Sequence, residues 1–226
     1  MYLKKSYQFL HQLRQNNNRE WFQKNKPLYV EAKDEFELFI NNLISEIQHI
    51  DSEVDVFDAK ECMFRIFRDV RFSKNKEPYK LNFGAFIAKG GRKSPFAGYY
   101  IHFQPGDSFI GGGVYMPQPR FLLSIRTKIY EHPEEYKKII NDTEFKKYFN
   151  GLFGDTLKTA PRGFPKDFSD IELLKNKHYA VAHHVPDSFW ESEHLLDAIC
   201  DIAKAQYQFN SFLNKAIQEV VFHKNK

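Results

Sequence analysis

Cysteine is nearly absent from this chain: its 226 residues hold two, Cys62 and Cys200, far apart and in no Cys-x-x-Cys arrangement. That argues against a disulfide framework and against a cysteine-built zinc site, and it suits a reducing cytosol. No stretch approaches the roughly 18–20 apolar residues that span a bilayer. The opening Met1-Tyr2-Leu3-Lys4-Lys5 leads into an amphipathic segment with no apolar signal-peptide core. Internal repeats and low-complexity linkers are missing as well. The expectation is a soluble, cytoplasmic protein with no membrane partner.

Aromatic residues are plentiful. Twenty-three Phe, twelve Tyr and two Trp predict a core built from rings, with Tyr and Trp tips that need polar partners. A mean hydropathy of −0.58 and a charged fraction of 27% are ordinary for a soluble domain. The length suits a single domain, 1–226, able to bury roughly 70% of the surface its unfolded chain exposes.

Apolar spacing predicts a helix from Leu3 to Asn17, ended by Asn16-Asn17-Asn18, and a second that opens on Pro27. The second carries Ala32, Phe36, Phe39, Ile40, Leu43, Ile44 and Ile47 at three- and four-residue steps. The middle third changes to β-type residues: Cys62–Ser73, Phe83–Ala88, Phe96–Gln104 and Phe109–Tyr115, with turns at Gly90-Gly91 and Pro105-Gly106-Asp107. On the third of these, Tyr99, Ile101 and Phe103 face the core while Tyr100, His102 and Gln104 face away. Further helices are expected at Phe121–Glu131, Pro133–Asn141, Thr143–Phe149 and Ser192–Phe222, and a strand at Tyr179–Val185. The class is α+β, with a central, mainly antiparallel sheet of about five strands (residues 60–116 plus 179–185). A helical part (1–50) and a helical and loop region (118–226) pack on the sheet core (55–117).

The net charge of +4 is too mild to imply nucleic acid, but it is concentrated. Between Arg65 and Lys80 lie Arg65, Arg68, Arg71, Lys74, Lys76 and Lys80 against Asp69 and Glu77, a surplus equal to that of the whole chain. Read as a strand, the even positions Phe64, Ile66, Arg68, Val70 and Phe72 leave Arg68 as the lone charge on an apolar face, where it must be paired. Three readings compete. The arginines form a structural network with local carboxylates, or they line a pocket for phosphate or carboxylate. The third is a nucleic-acid surface using Phe67, Phe72 and Tyr79 as stacking platforms.

Gly111-Gly112-Gly113 is no phosphate-binding Walker loop, because Val114-Tyr115-Met116 supplies neither Lys nor Ser/Thr, and no dinucleotide fingerprint, because Pro117 follows instead of a helix. It reads as a bulge or a close backbone approach, or as a nest of backbone N–H groups for an anion. His183 and His184 are adjacent and point to opposite faces of a strand, and no other histidine has ligand spacing, so no metal and no cofactor is expected. His102, with Tyr100 beside it, and Asp69 are the candidates for acid–base work. Whether the chain is an enzyme stays open.

Four strings then resemble one family. They are Phe64-Arg65-Ile66 … Arg68-Asp69 … Arg71-Phe72-Ser73 … Lys76 … Pro78-Tyr79-Lys80; Gly98-Tyr99-Tyr100-Ile101-His102 through Pro105-Gly106 to Gly111-Gly112-Gly113-Val114-Tyr115; Pro161-Arg162-Gly163-Phe164; and Asn16-Asn17 … Trp21-Phe22 … Tyr29. Together they are similar to the domain of unknown function 2461 family. The resemblance implies a stand-alone bacterial protein and lends no activity. The site expected from the residues themselves gathers Arg65, Arg68, Arg71, Lys76, Tyr79, Lys80, Arg126 and Arg162 near Gly111, Gly112 and Gly113. Its partner would be a small anionic ligand; the alternatives are a nucleic-acid-binding module or a protein-interaction domain. Oligomeric state is open.

Overall fold

Asn16, Asn17 and Asn18 do not simply end a helix; they separate two. In the computed structural model, which describes residues 3–222, α1 (Lys4–Gln15) stops at Asn16, and Asn18 caps α2 (Arg19–Lys24) by accepting from the Trp21 N–H. α3 (Lys26–Ile50) follows, with Pro27 in its first turn. Then come α4 (Ala59–Cys62), β1 (Phe83–Ile87), β2 (Gly98–Phe103), β3 (Ser108–Val114), α5 (Pro119–Glu131), α6 (Pro133–Ile140), α7 (Thr143–Tyr148), α8 (Ile171–Leu174), β4 (Tyr179–Val185) and α9 (Leu195–Phe222). The class is α+β, with the sheet order β1-β2-β3-β4, antiparallel throughout.

The sheet has four strands, not about five. The stretch Cys62–Ser73 is the one that fails to become a strand. It makes only isolated bridges, Met63 to Ala85 and Phe67 to Tyr79. Its partner across the second bridge includes Pro78, which has no N–H to donate, and a strand without a continuous neighbour cannot satisfy its backbone.

The described chain divides into two compact units. The first holds 3–92, 100–110 and 184–200; the second holds 93–99, 111–183 and 201–222. In the first, α1 has no capping side chain of its own. Glu35 of α3 takes that role, accepting from the backbone N–H of Lys5 (3.2 Å) and Ser6 (2.8 Å). The core is a relay of rings, as the composition predicts. Phe36 packs on Phe83 (5.4 Å between centroids) and Phe103 (6.4 Å), and Trp190 meets Phe103 edge-on at 4.8 Å.

In the second unit, Tyr136 lies among Tyr179, Phe209 and Phe212. The inner face of α9 also carries Gln206, Asn210 and Asn214 at four-residue steps. Gln206 and Asn210 donate to the Gly98 carbonyl (3.0 and 3.2 Å), and Asn214 bonds both backbone groups of Ala97. These amides satisfy backbone polar groups where β2 begins. Among the described residues, no helix is long and apolar enough to cross a membrane.

Candidate functional site

The basic segment forms an irregular arm, 64–80. Its ends are tied by Lys80 N–H to the Ile66 carbonyl (2.8 Å), Arg68 N–H to the Pro78 carbonyl (2.9 Å), and Phe64 N–H to the Gly84 carbonyl (2.9 Å). Of the even-numbered set, Ile66 is buried, whereas Phe72 is 94% exposed, so no apolar face forms. Tyr79 is a core residue. It stacks on Phe22 at 4.0 Å, and Asn17 clasps both its N–H and its carbonyl.

Most of the arm's charge is answered within the arm. Asp69 accepts two bonds from the Arg71 guanidinium (3.0 and 2.7 Å), and that pairing holds its carboxyl below the usual range. Arg68 reaches the Glu77 carbonyl (3.2 Å), the Ser73 hydroxyl (3.4 Å) and, at 3.8 Å, the Glu77 carboxylate. Lys76 donates to the Val70 carbonyl at 3.1 Å. Among the described residues, Arg65, Lys74, Lys76 and Lys80 form no ion pair with a carboxylate, and of these four only Lys80 is not exposed. Arg65 is exposed. Lys80 is half-buried with its ammonium over the Phe64 ring, 5.5 Å from the centroid. Burial first, and the Arg65 charge second, press its pKa below that of an ordinary lysine.

In the same unit, β2 presents the outward row that its alternation predicts. The Tyr100 hydroxyl lies 3.2 Å from His102 Nδ1, and His102 Nε2 lies 3.4 Å from Gln104 Oε1. Gln104 in turn donates its amide to Asp107 at 3.3 Å. Phe109 of β3 stacks flat on the His102 ring (4.6 Å, 11°), and the Phe64 ring meets Tyr100 edge-on at 6.1 Å. Burial depresses the His102 pKa, with the Gln104 hydrogen bond and Asp107 opposing and His184 and Lys80 assisting. Burial alone pushes the Tyr100 phenol up to about 12. A half-buried lysine, a neutral histidine and a phenol thus share one neighbourhood.

The glycine triplet lies in the second unit and is buried. A side chain at Gly111, Gly112 or Gly113 would overlap the carbonyl oxygens of Val181, Gly98 and Tyr179 respectively. Gly112 and Gly113 also adopt φ of 148° and 90°, where a side chain is strained. The close approach of neighbouring strands accounts for three glycines in a row. Arg126 donates to the Asn176 carbonyl (2.9 Å), while its Nε is buried without a partner. Arg162 is exposed on a loop.

Sequence reasoning paired His102 with Tyr100 but missed Phe109, Gln104 and Asp107 as its supports. Alternation along β2 shows which residues face outward; only the pairing of β2 with β3 and the return of the arm bring Phe109 and Lys80 to them. Comparisons with curated proteins and with solved structures find no significant match. A family model described as a conserved hypothetical protein (DUF2461) matches residues 5–212, and the chain belongs to that family.

Proposed function

We propose that this chain binds a small anionic ligand, bearing phosphate or carboxylate, through Arg65 and Lys80 of the first unit. Lys80 carries the argument. Its ammonium has lost part of its water, stands near a second cation and, among the described residues, has no carboxylate to compensate it. Such an arrangement costs free energy unless an anion completes it. Arg65 adds a fork suited to two oxygens of one group, and Lys80 adds a point charge. The reading also sets the protein in a reducing cytoplasm, consistent with its two buried cysteine thiols, Cys62 and Cys200.

A thermal-shift screen of inorganic phosphate, sugar phosphates, nucleotides and di- and tricarboxylates tests this reading. A ligand at 100 times its Kd adds about 2.7 kcal/mol of stability. The expected result is a shift with at least one anion that is lost in Lys80→Gln; no shift with any of them sinks the proposal.

One observation favours a second reading. Phe72 stands almost wholly in solvent, with the Arg71 guanidinium 5.8 Å from its ring centroid, which suits stacking on an unpaired base. Short single-stranded DNA or RNA would then bind with an affinity that falls steeply with added salt, and Phe72→Ala, not Lys80→Gln, would abolish it.

A further inference from the structure

The ligand-binding role uses Arg65 and Lys80 and leaves the row on β2 without a task. That row has a definite polarity. Gln104 donates to Asp107 through its amide nitrogen, so its carbonyl oxygen faces His102. An acceptor at that place puts the imidazole proton on Nε2. Nδ1 is then bare and accepts the Tyr100 hydroxyl at 3.2 Å. The flat stack on Phe109 holds the ring in this orientation. Catalytic hydrogen bonds are often this long before a ligand tightens them.

The supporting partner is an amide, not a carboxylate, and the consequence is chemical. A carbonyl fixes the tautomer without adding a full negative charge, so the ring stays neutral when no ligand is present. The charged and titratable groups that face it are Asp107, His184, Lys80 and Tyr100. Burial above all, then His184 and Lys80, oppose protonation; the Gln104 hydrogen bond and Asp107 favour it without overturning the burial. An anion held beside Lys80 would cancel one of the opposing charges and add one of the favouring sign.

We infer that Tyr100 and His102 form a proton-transfer pair for the ligand held at Arg65 and Lys80, with His102 Nδ1 taking up a proton as the anion binds. This rests on the binding reading above. The balance is simple. A proton from solvent bonds to Nδ1 and gives imidazolium; the Tyr100 oxygen then accepts from Nδ1–H and its own O–H is free to turn to a ligand oxygen. In a reaction, the Nδ1 proton passes to the phenol oxygen as the phenol proton passes to the ligand. The net transfer is one proton from imidazolium to ligand, with no redox partner. Gly84 leaves room for this hydroxyl, since a Cβ there would stand 2.8 Å from it.

The test uses the full chain and inorganic sulfate, a divalent anion with no titratable proton near neutral pH. Calorimetric titrations at one pH, in buffers of different ionisation enthalpy, report protons taken up per sulfate bound. The expected result is uptake approaching one proton, with affinity falling by up to about tenfold per pH unit between the free and ligand-bound His102 pKa values. Imidazole nitrogen spectra of the wild type should show a bare His102 Nδ1 that gains a proton when sulfate is added. His102→Gln should still bind sulfate but without uptake. Binding by the wild type with no uptake, or uptake that persists in His102→Gln, overturns the inference and leaves the binding reading intact. Where a dicarboxylate binds and sulfate does not, the same titrations are made and judged with that dicarboxylate; no binding of any screened anion overturns both. If His102→Gln fails to fold, the spectra of the wild type decide.

Discussion

The arm of residues 64–80 and the outward row of β2 look alike as sequence, each alternating rings with polar groups, yet they solve opposite problems. The arm holds the most charge in the chain and spends most of it on itself: Arg71 on Asp69, Arg68 on Glu77 and Ser73, Lys76 on a carbonyl. The β2 row holds almost no charge, but its groups are withheld from water and lack strong counterparts. A high local count of cations is therefore a poor guide to a binding site. A cation that is desolvated and unanswered is a better one, and Lys80, where the arm returns toward the row, is that cation.

Four changes would break or sharpen this contrast. The largest effect belongs to the sheet that carries the row. Gly112→Ala should cost about 4 kcal/mol or more, because the new Cβ overlaps the Gly98 carbonyl in a backbone conformation alanine resists. A fall in Tm of about 10 °C or more, or failure to fold, is expected in a thermal melt; a melt like the wild type's would mean the strands are not packed as described. Next is Lys80→Met. Anion affinity measured by calorimetry should drop at least about tenfold, worth about 1.4 kcal/mol, while stability stays level or rises as a desolvated charge is removed.

The third change is in pH. The folded His102 pKa lies below its ordinary 6.5, so as the pH falls below that value the unfolded chain binds protons that the folded chain refuses. Stability is therefore full above the ordinary value and declines as pH falls through the folded one. The decline in chemical-denaturation midpoints should be shallower in His102→Gln. The smallest effect belongs to the arm. Arg71→Gln removes an ion pair that stands in solvent, and Tm should move by no more than about 2 °C.

The helices and three of the four mid-chain strand predictions were legible because their periodicity is backed by a partner that the same periodicity implies. α3 repeats apolar residues at helical steps against α1, and β1, β2 and β3 each follow the last through a short connection. Cys62–Ser73 misled for a physical reason. Its alternation is real, but strand identity belongs to pairs of segments, and Pro78 and the charged loop deny it a continuous ladder. For the candidate site, the pairing of His102 with Tyr100 was visible in the two-residue step along β2. The stack on Phe109 was not, because it depends on the β2–β3 register. Nor could sequence foresee which of six cations would be both half-buried and left without a carboxylate, since this turns on side-chain reach across the arm.

The most direct measurement is a matched pair of phosphate titrations, Lys80→Gln against Arg71→Gln, with the wild type as reference. Loss of at least about tenfold in affinity for the first and less than about threefold for the second is the result this account requires. Equal losses, or a larger loss in Arg71→Gln, would place the anion on the arm's paired arginines and contradict it.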